Sequence, residues 1–155
     1  MASPTVLFVC TGNTCRSPLA EGLLRHALGH PSQIQVASAG VAAGHGEPAN
    51  PQTLAVLEEV GIDLSTHRSQ PTDDEVISGA TWIIAMTRSH RDALNAFFPE
   101  ASERTFLLSD FIPEPASIDV PDPIGMGRKA YLQTRDVIVD AIPGILKTIN
   151  ANHAG

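Results

Sequence analysis

Short apolar runs alternate along this chain with segments of helical spacing. Thr5–Val9 and Thr81–Met86 are almost continuously apolar, Ile34–Ala37 alternates, and Arg104–Leu108 is a further short run. Runs of this length predict strands, and the continuous ones predict strands covered on both faces. A helix follows from Pro18, with Leu19, Leu23, Leu24 and Leu28 on its apolar face. Gly29-His30-Pro31-Ser32 punctuates the chain, and the Gly-rich stretch from Gly40 to Pro48 reads as loop. Asn50 and Pro51 mark the N-cap and first position of a second helix, Gly61 its stop, with Leu54 and Leu57 facing inward. Thr72 to Glu75 forms a capping box for a short helix ending near Gly79. Ser89–Phe98 is amphipathic and stopped by Pro99. A Pro-rich loop, Ile112–Gly127, leads to a last helix with Ile138, Ile142, Ile145 or Leu146, and Ile149 on one stripe, which Pro143 is expected to kink.

Strand and helix in alternation predict an α/β fold: one domain over residues 1–155, with a doubly wound sheet of four parallel strands and helices on both faces. Thr81–Met86 belongs in the middle of that sheet. Ligands of such sheets bind beyond the C-terminal strand ends. Those ends carry the segment from Cys10, the Ser38–Gly40 turn, the Thr87 region and, one connection later, the Pro-rich loop.

Composition narrows the function. The chain has 43% hydrophobic and 17% charged residues, which excludes a disordered protein, and its net charge of -7 comes with no basic tract, which argues against nucleic acid. Its two cysteines, Cys10 and Cys15, make neither a disulfide framework nor, without a nearby His pair, a zinc site. The start of the chain lacks the charged and apolar regions of a signal peptide, and no apolar run is long enough to cross a membrane. A soluble, cytoplasmic protein is expected.

The chemistry concentrates in Cys10-Thr11-Gly12-Asn13-Thr14-Cys15-Arg16-Ser17, between the first strand and the first helix. A buried strand that delivers a polar turn to a helix N-terminus gathers unpaired backbone N–H groups around a small space and makes it attractive to an anion. Cys10 would look into this cradle, where the positive field suits a thiolate nucleophile. Arg16 adds a planar fork for two oxygens of a tetrahedral oxyanion. Thr11, Gly12, Asn13, Thr14, Cys15, Arg16 and Ser17 are the expected phosphate-binding positions. Attack on phosphorus also calls for an acid to protonate the leaving group. Asp122, stiffened between Pro121 and Pro123, is a candidate, although Asp-Pro pairs are also common turn formers. Asp119 is the competing carboxylate and reads better as a solvated loop residue.

A Cys followed after five residues by Arg and Ser, directly after the first strand, resembles the low-molecular-weight protein tyrosine phosphatases. The resemblance implies a cysteine-dependent protein phosphatase acting through a cysteinyl-phosphate intermediate, with Cys10 as nucleophile, Arg16 holding oxygens and Asp122 as general acid. It implies no metal and no cofactor. Phosphate, sulfate, vanadate or arsenate would occupy the cradle. Asn13, with a left-handed backbone, would be braced by Ser38 and His67, and Ser17 would donate to the nucleophile. Taken alone, His67 reads as a surface histidine. The other five, His26, His30, His45, His90 and His153, read as solvated or helix-end residues. Cys15 resembles a second cysteine that forms a reversible disulfide with the nucleophile; packing beneath the loop is its other reading.

The substrate reading turns on two positions. Tyrosine-specific members carry a larger aliphatic residue where this chain has Thr14, and aromatic residues after the Asp-Pro pair where it has Ile124 and Gly125. Bacterial protein arginine phosphatases of the same family carry a loop identical to residues 10–17. The resemblance therefore favours phosphoarginine over phosphotyrosine, with a phosphorylated protein as partner and a monomer or weak dimer as the state. An arsenate reductase would relay oxidation through later cysteines, and none follows Cys15. A phosphate-binding module without turnover would need neither thiolate nor acid.

Overall fold

The computed structural model describes residues 3–29 and 32–153. The expected turn at His30 and Pro31 lies outside them. The strands are β1 (Thr5–Cys10), β2 (Gln35–Gly40), β3 (Trp82–Ala85) and β4 (Thr105–Leu107), and the helices are α1 (Arg16–Leu28), α2 (Pro51–Glu58), α3 (Asp74–Ser78), α4 (Arg88–Phe97) and α5 (Arg128–His153). All pairings are parallel, in the order β2-β1-β3-β4. The chain passes from β1 to β2 on one side and then crosses back over β1 to β3 and β4 on the other, so the crevice at the C-terminal ends of β1 and β3 is the topological switch point. Cys10 ends β1 there, opposite Gly40 of β2.

Alternation along β1 builds the core. Val6, Phe8 and Cys10 pack toward α1 and α5, with Leu19, Leu24, Ile138 and Ile145, and the expected α5 stripe of Ile138, Ile142, Ile145 and Ile149 is buried there. Leu7 and Val9 face the opposite layer, among Ile77, Ile83 and Leu94. The central position expected for Thr81–Met86 holds: the four residues of β3 are all buried between β1 and β4.

Local departures from the sequence reading have local causes. The α3 cap is Asp73, whose carboxylate accepts from the Val76 N–H at 2.9 Å, so the helix starts one residue later than a Thr72 cap would place it. In α2, Val56 joins Leu57 in the core while Leu54 is only partly buried. Two short 3-10 segments, Pro99–Arg104 and Leu108–Phe111, flank β4. Helix α5 continues through Pro143 as one element.

Two features of the frame fix the site. Gly40 ends the Ser-Ala-Gly turn because the loop after Cys10 lies directly on it: a Cβ there would sit 2.4 Å from the Thr11 carbonyl oxygen and 3.0 Å from the Asn13 nitrogen. On the other side, the Thr87 hydroxyl caps α4 by accepting from the His90 N–H at 3.2 Å. The His90 ring, 4% exposed, then spans two hydroxyls, with Nδ1 3.0 Å from Thr87 Oγ1 and Nε2 2.8 Å from Thr11 Oγ1. Burial first, and then the positive charge of Arg16, push its pKa from 6.5 down to about 4, against weaker opposing pulls from Asp122 and Asp119.

This histidine is therefore neutral when folded at a pH where the unfolded chain would protonate it. Its contribution to stability is complete above pH 6.5 and is lost as pH falls toward about 4. The wild-type advantage over His90→Asn should shrink across that window by about 3 kcal/mol. Paired urea titrations between pH 7 and pH 4 measure it; a constant difference would refute the buried neutral ring.

Candidate active site

The segment from Cys10 to Arg16 curls between β1 and α1, and its shape turns on Asn13, a non-glycine residue at φ 59°. An L-residue in this left-handed region is held there by its partners. The Asn13 side chain is fully buried, and its Oδ1 accepts from the Gln70 N–H at 3.0 Å. That bond turns the amide nitrogen toward two hydroxyls, Ser17 and Ser38, each 2.9 Å away. The Asn13 carbonyl can only accept, so His67 Nε2, at 2.8 Å, carries the proton between them.

The polarity of the network follows outward from Glu21. This carboxylate accepts from Ser38 Oγ at 2.5 Å and from Arg25 at 2.5 Å, and lies 3.8 Å from His67 Nδ1. Ser38 has spent its proton on Glu21 and therefore receives one from Asn13. Ser17 also receives one from Asn13, which leaves its own hydroxyl hydrogen free for Cys10 Sγ, 2.8 Å away. A chain of oriented groups thus runs from Glu21 through Ser38, Asn13 and Ser17 to the sulfur. Each of the expected braces, Asn13, Ser17, Ser38 and His67, is brought to the loop. Glu21 and Gln70 join them without having been anticipated. The signal for Glu21 was its place one helical turn after Ser17 and one before Arg25, which puts the three on one face.

Arg16 is 6% exposed. Its Nη1 donates to the Val120 carbonyl at 3.0 Å, and its Nη2 is 3.7 Å from Asp122 Oδ2. The guanidinium therefore links the loop to the Pro-rich segment. The Asp122 carboxylate is half-exposed, and its Oδ1 accepts from the Ile124 N–H at 3.1 Å. Thiol, guanidinium and carboxyl from distant parts of the chain thus converge at one strand end, a set able to attack phosphorus, hold its oxygens and deliver a proton.

Two residues, Asp119 and His90, stand differently from their sequence reading, and a third, Tyr131, joins the site without one. Asp119 is no free carboxylate: it accepts from the Arg88 N–H at 2.8 Å and pairs with the Arg88 guanidinium at 3.3 Å, and the backbone hydrogen bond, chiefly, lowers its pKa. His90 does sit at a helix end, but it is buried against Thr11, not solvated. Tyr131, the single tyrosine, lies 1% exposed beneath the loop with its hydroxyl 3.4 Å from Cys15 Sγ. Burial raises the pKa values of both the Cys15 thiol and the Tyr131 phenol. Both cysteines are free thiols. Thr14 and Ile124, the positions tied to selectivity, lie half-buried in the loop and exposed after Asp122, respectively.

Residues 5–154 match the family model described as low molecular weight phosphotyrosine protein phosphatase. A protein-arginine-phosphatase of Geobacillus stearothermophilus is 40% identical over 146 residues, covering 92% of this chain and 96% of that protein. A low molecular weight protein-tyrosine-phosphatase of Streptomyces coelicolor is 33% identical, covering 97% of this chain and 96% of that one. The solved structure of the YwlE arginine phosphatase from Geobacillus stearothermophilus superposes with a TM-score of 0.86 at 38% identity, covering 97% of each chain. With its four-stranded parallel sheet, its Cys10 loop at the switch point and these matches over nearly its whole length, the chain belongs to the low molecular weight phosphotyrosine protein phosphatase family.

Proposed function

We propose that this protein is a cytoplasmic protein phosphatase that removes phosphate from phosphorylated side chains, with phosphoarginine preferred over phosphotyrosine. The Cys10 sulfur attacks phosphorus from one side while Arg16 and the loop amides hold the non-bridging oxygens. Asp122 gives its proton to the departing nitrogen or oxygen. The phosphorus–leaving-group bond breaks as the sulfur–phosphorus bond forms. Asp122, now a carboxylate, takes a proton from water, whose oxygen attacks the cysteinyl phosphate and releases inorganic phosphate and the Cys10 thiolate. Ser17 is placed to hydrogen-bond that thiolate as it leaves.

The observation that carries the substrate preference is the mouth of the cradle. The Thr14 hydroxyl meets only the Cys15 sulfur, at 3.9 Å, among the described residues, and the exposed side chain after Asp122-Pro123 is the aliphatic Ile124. An available hydroxyl suits the N–H groups of a guanidinium. A phenyl ring would find no aromatic partner in Tyr131, whose ring is buried on the core side of the loop. The Geobacillus relative with the same assignment in its name supports the same preference.

Phosphate release from matched phosphoarginine and phosphotyrosine peptides, with Cys10→Ser as the blank, should favour phosphoarginine. Thr14→Ile should move the ratio toward phosphotyrosine by about tenfold or more, the scale expected when a buried polar partner is removed. Faster phosphotyrosine turnover by the wild type, or an unchanged ratio in Thr14→Ile, would reject this reading of the mouth.

Cys15 supplies a resolving thiol for an oxidised nucleophile. Peroxide converts the Cys10 thiolate to a sulfenic acid, and the Cys15 sulfur displaces its oxygen as water to give a Cys10–Cys15 disulfide. After a peroxide pulse, dithiothreitol should restore most activity to the wild type but much less to Cys15→Ser. Equal recovery by both would leave Cys15 as packing beneath the loop.

A further inference from the structure

The Pro-rich loop is pinned at two consecutive residues, just before Asp122. The Val120 N–H donates to the Met86 carbonyl at 3.0 Å, and the Val120 carbonyl accepts from Arg16 Nη1 at 3.0 Å. At residue 119, a carboxylate oxygen accepts from the Arg88 N–H at 2.8 Å. Arg88 is the first residue of α4, so Asp119 satisfies a backbone donor that has no partner within the helix, and it does so where the helix dipole favours negative charge. Between Asp119 and Asp122 stand only Val120, itself fastened at both backbone groups, and Pro121, whose ring limits how far the acid can swing.

The same helical turn reaches the other half of the site. Thr87 and His90 hold the Thr11 hydroxyl, one residue after Cys10. One turn of α4 therefore touches both the loop that carries the nucleophile and the loop that carries the acid. The two Val120 bonds use backbone atoms on the loop. Asp119 provides the only side chain of residues 119–121 that fastens it to α4 among the described residues.

We propose that Asp119 is a positioning residue for the general acid: it latches the Pro-rich loop to the first turn of α4 and thereby fixes where the Asp122 carboxyl stands relative to Cys10. This inference rests on Asp122 being the acid. Asp119 itself exchanges no proton with substrate. Its loss lets Asp122 drift, and the drift matters only when the leaving group must be protonated.

The test compares kcat/KM on two aryl phosphates. Phenyl phosphate has a leaving group that needs a proton; 2,4-dinitrophenyl phosphate has one that departs as the anion. Because kcat/KM covers steps up to loss of the leaving group, slow breakdown of the cysteinyl phosphate does not mask the effect. Asp122→Ala should lose about 10²–10⁴-fold on phenyl phosphate and far less on the dinitrophenyl ester. Asp119→Ala should show the same selectivity at smaller size, roughly tenfold to a hundredfold on phenyl phosphate, as expected for a misplaced group. Asp119→Asn, whose amide oxygen can still accept the Arg88 N–H, should recover most of that loss.

Equal losses on both esters in Asp119→Ala would mean general damage to the cradle and would overturn the inference. So would no loss in that variant, or a loss in Asp119→Asn as large as in Asp119→Ala. If Asp122→Ala loses equally on both esters, the assignment of the acid fails, and the positioning role fails with it. If Asp122→Ala is selective and Asp119→Ala is not, the positioning role alone fails.

Discussion

The left-handed backbone at Asn13 is the constraint on which the rest of the site depends. It costs about 1–2 kcal/mol relative to an ordinary conformation, and each neighbour of the loop is arranged to hold it. Gln70 fixes which way the amide faces, His67 holds the carbonyl, and Ser38 and Ser17 take the two amide hydrogens. Without that orientation, the Ser17 hydroxyl would have no reason to direct its hydrogen at Cys10. The brace is thus also the source of the hydrogen bond to the sulfur. Glu21, 8% exposed, is tolerated in this setting because its two oxygens are bonded to Arg25 and Ser38.

The loop has two chemically different sides. Cys10 belongs to the β1 face that packs on α1 and α5, yet its sulfur meets a hydroxyl that is itself part of a polar chain. Cys15, by contrast, turns toward Tyr131, and burial disfavours its charged form. Two thiols five residues apart in sequence are therefore differentiated by what surrounds them, not by their own chemistry. One apolar or one polar environment for both would not set one sulfur beside a polar chain and disfavour the charged form of the other.

Much of this was legible in the sequence, for reasons that differ by element. The strands were readable because parallel strands buried on both faces must be almost continuously apolar, as Thr81–Met86 is. The cradle was readable because Cys10, Asn13, Arg16 and Ser17 are local to one another. Glu21, Gln70, His90 and Tyr131 were not, since each reaches the loop from a segment whose own pattern gives an ordinary account of it. Glu21 looks like the polar face of a helix, and His90 like its solvated start. Their roles come from strand order, which places α4 beside the loop only because β3 pairs with β1. Asp119 is the sharpest case. An acidic residue in a Pro-rich loop reads as solvated until the helix N-terminus that it caps is placed next to it.

That dependence on topology explains why Cys10 and Asp122 can be more than one hundred residues apart in sequence and still converge at one strand end. In a doubly wound sheet, the strand ends on either side of the switch point are fixed relative to one another by the backbone ladder. Cys10 is on one of these ends. Asp122 is not, so its loop must borrow rigidity from the other end. It does so through the Met86 carbonyl just beyond β3 and through the Arg88 N–H at the start of α4. Arg16 then closes the circuit from the nucleophile's own loop to the Val120 carbonyl. Phosphoryl transfer with a separate acid needs two groups aligned on opposite sides of one phosphorus. Here a sheet, one helical turn and one arginine hold the loop of Cys10 and the loop of Asp122 together, with Thr14 half-buried and Ile124 exposed beside them.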